Sequence, residues 1–276
     1  MKSPEQIVCK PTPWFMLRAI AMLLMFSVFA VLFYVDGTTG YRKKNFTYFL
    51  HATFEKATNR FSEMNSDGEL TEQEWEDFAS QQTVDFGNDP SILPVDLERP
   101  MPWPDVLIDY DRIKSLQHNL LWTKYSGKQE LNENPPEKIY DKGTIQEQIV
   151  VFYICLGLSV ITLAILIRTS RRSIIADEHS IKTARGRQIP YENMKILDLR
   201  KWETKGIARI EYDAPTGSGS ARIDGLTYGG FKKDRNEPAE RLMRKIKEHF
   251  SGEIIEYTSI EENPSEGSVK KPESPV

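Results

Sequence analysis

The stretch IVVFYICLGLSVITLAILI, residues 149–167, runs nineteen side chains without a charge, and its reading decides how the whole chain is organised. Wound as an α-helix rising about 1.5 Å per residue, it nearly crosses a hydrocarbon core about 30 Å thick. A second run, AIAMLLMFSVFAVLFYV at residues 19–35, has the same character. It extends backwards through WFML across Arg18, whose long stem can lift its charge to the headgroups. Trp14, Phe15 and Tyr34 stand near its ends, where interfacial rings are favoured. The pattern predicts a two-span α-helical membrane protein. Two other readings stay open: a cleaved signal peptide for the first run, since basic residues precede it, and a buried core helix for either run. No small-x-small cleavage signature follows Tyr34.

This layout gives a tail over residues 1–13, a first span over 14–35, a middle segment over 36–148 and a second span over 149–167. A further module follows over 168–250, with a tail over 251–276. Arg168, Arg171 and Arg172 follow the second span at once, and Lys2, Lys10 and Arg18 precede or open the first. The positive-inside bias then puts both termini in the cytoplasm of a cell membrane. Arg42, Lys43 and Lys44 oppose that orientation locally, yet residues 36–148 carry 21 acidic against 12 basic side chains. The two cysteines, Cys9 and Cys155, leave the middle segment no disulfide, so its fold must rest on packing or on a metal.

Within the middle segment, Leu50, Phe54, Ala57 and Phe61 recur at helical spacing and predict a helix over residues 48–62. Thr71 and Glu74 form a TxxE capping box that opens a second helix burying Trp75 and Phe78. Between the two lies EMNSDGELTEQE, residues 63–74. Counted from Glu63, the residues at positions 1, 3, 5, 7, 9 and 12 are Glu63, Asn65, Asp67, Glu69, Thr71 and Glu74, with Gly68 at position 6 and Leu70 at position 8. The loop resembles a single degenerate EF-hand, a likeness covering about thirty residues with the flanking helices. That resemblance implies Ca2+ held by those six residues, with Glu74 supplying both carboxylate oxygens, Gly68 making the sharp turn and Leu70 packing inward. Glu63 departs from the aspartate usual at the first position. An ordinary helix–turn–helix with an acidic, solvated turn is the competing reading. Prolines 90, 94, 100, 102 and 104 predict a linker or a wrapping loop, and a helix is expected over residues 105–124.

After the second span, short runs rich in isoleucine and aromatic residues predict strands over residues 173–176, 180–184, 195–199, 207–212 and 220–223, closed by a basic helix over 237–250. This is a small α+β module. The phrase IPYENMKILDLRKWETKGIARIEY resembles the pleckstrin-homology-like domains of bacterial membrane proteins. In that resemblance Ile189 and Tyr191 anchor a strand entry, and Lys201, Trp202, Lys205 and Gly206 form a turn between strands. Residues 168–250 hold 19 basic and 12 acidic side chains, which makes anionic lipid headgroups candidate partners near Arg168, Arg171 and Arg172, with Lys182, Arg185 and Arg187 beyond them. No nucleic acid is expected. The tail from residue 251 is acidic, rich in Pro, Glu and Ser, and reads as disordered.

No HExxH, CxxC, GxSxG, GxGxxG or P-loop pattern occurs, and His51, His118, His179 and His249 are widely separated in sequence. The functional expectation is a non-enzymatic integral membrane protein, a scaffold or adaptor or a calcium-responsive sensor, with protein partners. The alternatives are an accessory subunit of a membrane complex and a membrane-bound hydrolase with an unrecognised site in the middle segment.

Overall fold

Pro13 opens α1 (Pro13–Val35), as its fixed backbone angle and missing amide suit a first helical position. The helix runs without a break through one π turn (Asp36–Gly40) into α2 (Tyr41–Met64). α7 (Lys142–Ser170) is the other long apolar helix. Both are long and apolar enough to cross a membrane, and almost none of their apolar surface is covered by the protein. The computed structural model describes residues 6–214, 217–230 and 236–256. The chain divides into two compact units, one of Met1–Met22 with Thr162–Val276 and the other of Leu23–Ile161.

In the unit Leu23–Ile161, α1 and α7 meet along small side chains. Ser27 and Ser159 share a hydrogen bond of 2.9 Å, and Ala30 and Cys155 are buried. Gly37 sits so close that an added Cβ would lie 2.6 Å from Ile149 Cδ1. Small residues of this kind let helices approach in lipid, whereas Gly157 has nothing near it and plays no such part. A π turn frees backbone carbonyls, and here Arg42 answers them: its guanidinium donates to the Gly37 and Thr38 carbonyls at 2.9 and 2.6 Å.

α2 then buries Leu50, Phe54, Ala57 and Phe61 against α3 (Glu72–Ala79), α4 (Asp105–Ile108), α5 (Tyr110–Ser115) and α6 (His118–Lys128). The helix expected over residues 105–124 is therefore three short ones. Asp109 breaks it by leaving helical angles and accepting the Arg112 amide on its own side chain at 3.0 Å, and Gln117 interrupts it again. The core is aromatic, and its polar edges are satisfied: Trp75 donates to Leu107 O at 3.1 Å and Trp122 to Glu133 O at 2.8 Å.

The other unit is mixed α/β. One antiparallel sheet runs in the order β1 (Ile7–Cys9), β2 (Ile174–Ala176), β3 (Ser180–Lys182), β4 (Gln188–Pro190). A second runs β7 (Gly217–Asp224), β6 (Ile207–Ala214), β5 (Met194–Asp198), β8 (Glu253–Ile255), with β5 and β8 parallel. α8 (Trp202–Lys205) ends on Gly206 in a left-handed conformation between β5 and β6. α9 (Pro238–His249) packs Leu242, Met243 and Ile246 into the shared core.

Two boundaries differ from the sequence reading. Residues 7–9 are not part of a free tail: Ile7 pairs with Ala176, Val8 with Ile175 and Cys9 with Ile174, and Cys9 is fully buried. Likewise the module continues past residue 250 into β8, where Leu199 N also donates to Ile255 O. The disorder expected for the tail concerns, from residue 257 on, positions outside the described residues.

Gly229 closes this unit, its N–H donating to Lys10 O at 2.8 Å with φ at +91°. An added Cβ would sit 2.8 Å from Ala239 N and 2.9 Å from Cys9 Sγ. Gly229→Ala is expected to cost about 2 kcal/mol or more, from left-handed strain and overpacking together, read as a lower thermal midpoint of the full chain in detergent.

Candidate functional site

The acidic loop leaves α2 at Asn65 and turns at Gly68, whose φ is +80°. Leu70 points inward as expected, nearly buried, and its carbonyl accepts the Tyr110 hydroxyl at 2.9 Å. Thr71 then caps α3. Its hydroxyl accepts the Glu74 amide at 3.3 Å, while Glu74 Oε2 accepts the Thr71 amide at 3.0 Å and hydroxyl at 2.7 Å. Those bonds, backbone first, hold the exposed Glu74 carboxyl below its ordinary value. Glu63, in the last turn of α2, is paired with Arg60 at 3.0 Å, and Asp67 accepts the Glu69 amide at 3.3 Å.

The donor set suits a hard cation by type, since carboxylate and hydroxyl oxygens are what calcium takes. Its arrangement is another matter. Glu63 and Glu74, the ends of the loop, are each turned to a protein donor, and no group of three or more His, Cys, Asp or Glu gathers among the described residues. The loop as it stands is a capped helix–turn–helix.

Two histidines far apart in sequence meet in this same unit. His51 on α2 and His118 on α6 stand with ring centroids 4.9 Å apart, and Trp122 lies 5.2 Å from His51. His118 Nε2 is buried with no hydrogen-bond partner. Burial, then the neighbouring His118, lowers the His51 pKa, with Glu55 opposing. Sequence spacing gave no hint of the pair, because the α2–α6 contact that makes it is set by the aromatic core. Asn45 was also missed. It is fully buried, its amide donating to Ile92 O at 2.9 Å and Tyr140 O at 2.8 Å while its oxygen accepts Tyr140 N at 2.8 Å.

Of the basic residues singled out beyond the second apolar run, Arg168 lies in the last turn of α7, and Arg171 and Arg172 follow directly. Lys182 ends β3, and Arg185 and Arg187 lie in the exposed β3–β4 turn. Arg172, Arg185 and Arg187 come together with Arg200, Lys201, Arg209 and Arg222 around one groove of about 1080 Å³, which neither Arg168 nor Arg171 lines. The groove borders Asp198, whose carboxyl the Arg200 side chain holds down at about 2. The glycine-rich residues after β7, Gly225 to Gly230, make a turn whose Tyr228 bridges Pro11. Cys9 is inert, its thiol pushed up to about 12 by burial.

Searches of family models, curated proteins and solved structures find no match to this chain.

Thr71→Ala removes the cap and is expected to lower stability by about 1 kcal/mol in chemical or thermal unfolding. Because the folded His51 binds its proton less readily than the unfolded one, the unfolded state carries more protons as pH falls through the ordinary imidazole value of about 6.5. Stability is therefore expected to be full above that value and to drop on acidification through it. Melting temperature against pH should flatten in this window for His51→Asn.

Proposed function

We propose that this chain is a non-enzymatic integral membrane protein of two spans, a scaffold or adaptor that holds a helical domain on one side of a membrane and a mixed α/β module on the other. The observation that carries the reading is the pairing of β1 with β2. The residues just before α1 and those just after α7 share one sheet, so the chain between them must cross any bilayer an even number of times. Two apolar helices with bare flanks supply those two crossings. A leader cut after Tyr34 would strip Cys9 out of a core in which it is fully buried, so the pairing also favours retention of α1.

The side follows from charge. Arg168, Arg171 and Arg172 stand at the end of α7 and Lys10 just before α1, which by the positive-inside bias supports a cytoplasmic α/β module, while the acidic excess lies in the segment between the spans. The calcium-responsive form of this reading draws on Gly68 at the turn and Leu70 packed inward, and it requires Glu74 to exchange Thr71 for the ion.

Native thiols offer little background for mapping, since Cys9 and Cys155 are both buried. An impermeant maleimide applied to intact cells is expected to label an S66C variant and to label an E192C variant only after permeabilisation. Equal labelling of both would sink the topology. Chemical crosslinking of the full chain in native membranes tests the scaffold role, which fails if no stoichiometric protein partner is recovered. Calcium responsiveness predicts a higher melting temperature with excess calcium that Asp67→Asn abolishes.

A further inference from the structure

The groove of the α/β unit is crowded with like charge. Seven basic side chains line it, Arg172, Arg185, Arg187, Arg200, Lys201, Arg209 and Arg222, against two acids, Asp198 and Asp224. Arg209 on β6 and Arg222 on β7 are register partners, directly opposite across the antiparallel ladder. Both are exposed and on the face turned away from the core, since Ala208, Ile210, Ala221 and Ile223 point inward. Like charges so placed repel and destabilise a sheet. Local acids offset this only in part: Asp224 pairs with Arg222 at 3.0 Å, Glu211 reaches Arg209 at 3.7 Å, and Asp198 is engaged by Arg200 at 2.8 Å. Arg187 donates to the Tyr212 hydroxyl, and Arg185 at the tip of the β3–β4 turn has no ion pair among the described residues.

We infer that this groove is a binding site for the phosphate headgroup of an anionic phospholipid. Guanidinium forks match phosphate oxygens two at a time, so an arginine cluster suits phosphate better than it suits a diffuse counter-ion. A lipid, not a soluble phosphate, follows from where the groove begins. Arg172 lies two positions after the end of α7 at Ser170. Three helical residues past Ile167, the last apolar side chain, at 1.5 Å each, and two non-helical ones after them put Arg172 roughly 5–10 Å beyond the apolar run, the scale of one headgroup layer. The inference rests on the two-span reading and sharpens it, because it moves lipid recognition from the juxtamembrane Arg168 and Arg171 to the sheet face that holds Arg209 and Arg222.

The test uses the full chain in a neutral detergent, titrated with phosphatidylglycerol or phosphatidylcholine, with bound lipid counted by native mass spectrometry. Phosphatidylglycerol is expected to bind in preference, and R209Q and R222Q should each weaken it about fivefold, combined in the R209Q/R222Q variant. The R168Q/R171Q variant should retain most of the binding. Relief of like-charge repulsion means that R209Q/R222Q should melt no lower than the unaltered chain in lipid-free detergent, so lost binding is not lost fold. The inference is overturned if R209Q/R222Q binds as before, if R168Q/R171Q accounts for the loss, or if inorganic phosphate displaces phosphatidylglycerol at matching concentration, which would make the occupant a soluble anion. Failure of the two-span reading shows separately, as extraction of the chain from native membranes by alkaline carbonate.

Discussion

Three backbone pairings, Ile7 with Ala176, Val8 with Ile175 and Cys9 with Ile174, are the constraint on which the α/β unit depends. They join the start of the chain to a segment about 165 residues later, and they do so inside a core, with Cys9 and Ile174 both closed to solvent. Because β1 is an edge strand of the first sheet and packs against α9, the unit cannot complete itself from the C-terminal sequence alone. Ribosomes add roughly 5–20 residues per second, so β1 waits many seconds for β2 to emerge. Closing of this unit is therefore tied to completion of everything between.

In the unit Leu23–Ile161 the corresponding burden falls on a few polar groups at the irregular points of the chain. Arg42 bonds the carbonyls that the π turn releases and also reaches Ser91 O at 3.2 Å, tying the helix to the proline-rich loop. Tyr41 and Tyr140 stack at 4.2 Å with Lys44 above the Tyr41 ring. Together the hydrogen bonds of Arg42 and the stacked rings, which pack against the edge of the core, position the loop and the entry to α7.

What the sequence disclosed followed the reach of its signals. Apolar runs, the Leu50–Phe54–Ala57–Phe61 stripe, the Thr71 capping box and the strands β2, β5, β6 and β7 are all local patterns, and each is found within a few residues of its expected bounds. Of the features missed, β4 pairs locally with β3 but is only three residues around Pro190, and β1 and β8 are made by distant partners. β1 is three residues with no alternation to mark it, and β8 lies in an acidic stretch that resembles the tail after it. The region of residues 105–124 kept its apolar face yet broke twice, because Asp109 satisfies a helix start better than a helix interior. For the candidate sites, spacing named the loop residues correctly as neighbours but not their partners. Glu74 serves Thr71 by a local rule already visible in TxxE, while the His51–His118 and Arg209–Arg222 pairs need the fold to bring them together.

Asn45 carries a practical consequence. With Phe46 and Thr47 it spells the triplet to which eukaryotic secretory hosts attach a glycan, and that attachment occurs on the unfolded chain as it enters the lumen. A sugar on Asn45 Nδ2 would displace both carbonyls that nitrogen serves, at Ile92 and Tyr140, and no room exists for it beside a fully buried side chain. Were this segment translocated in such a host, product modified there could not reach the native state. Bacterial production, or Thr47→Val to erase the acceptor, avoids the competition.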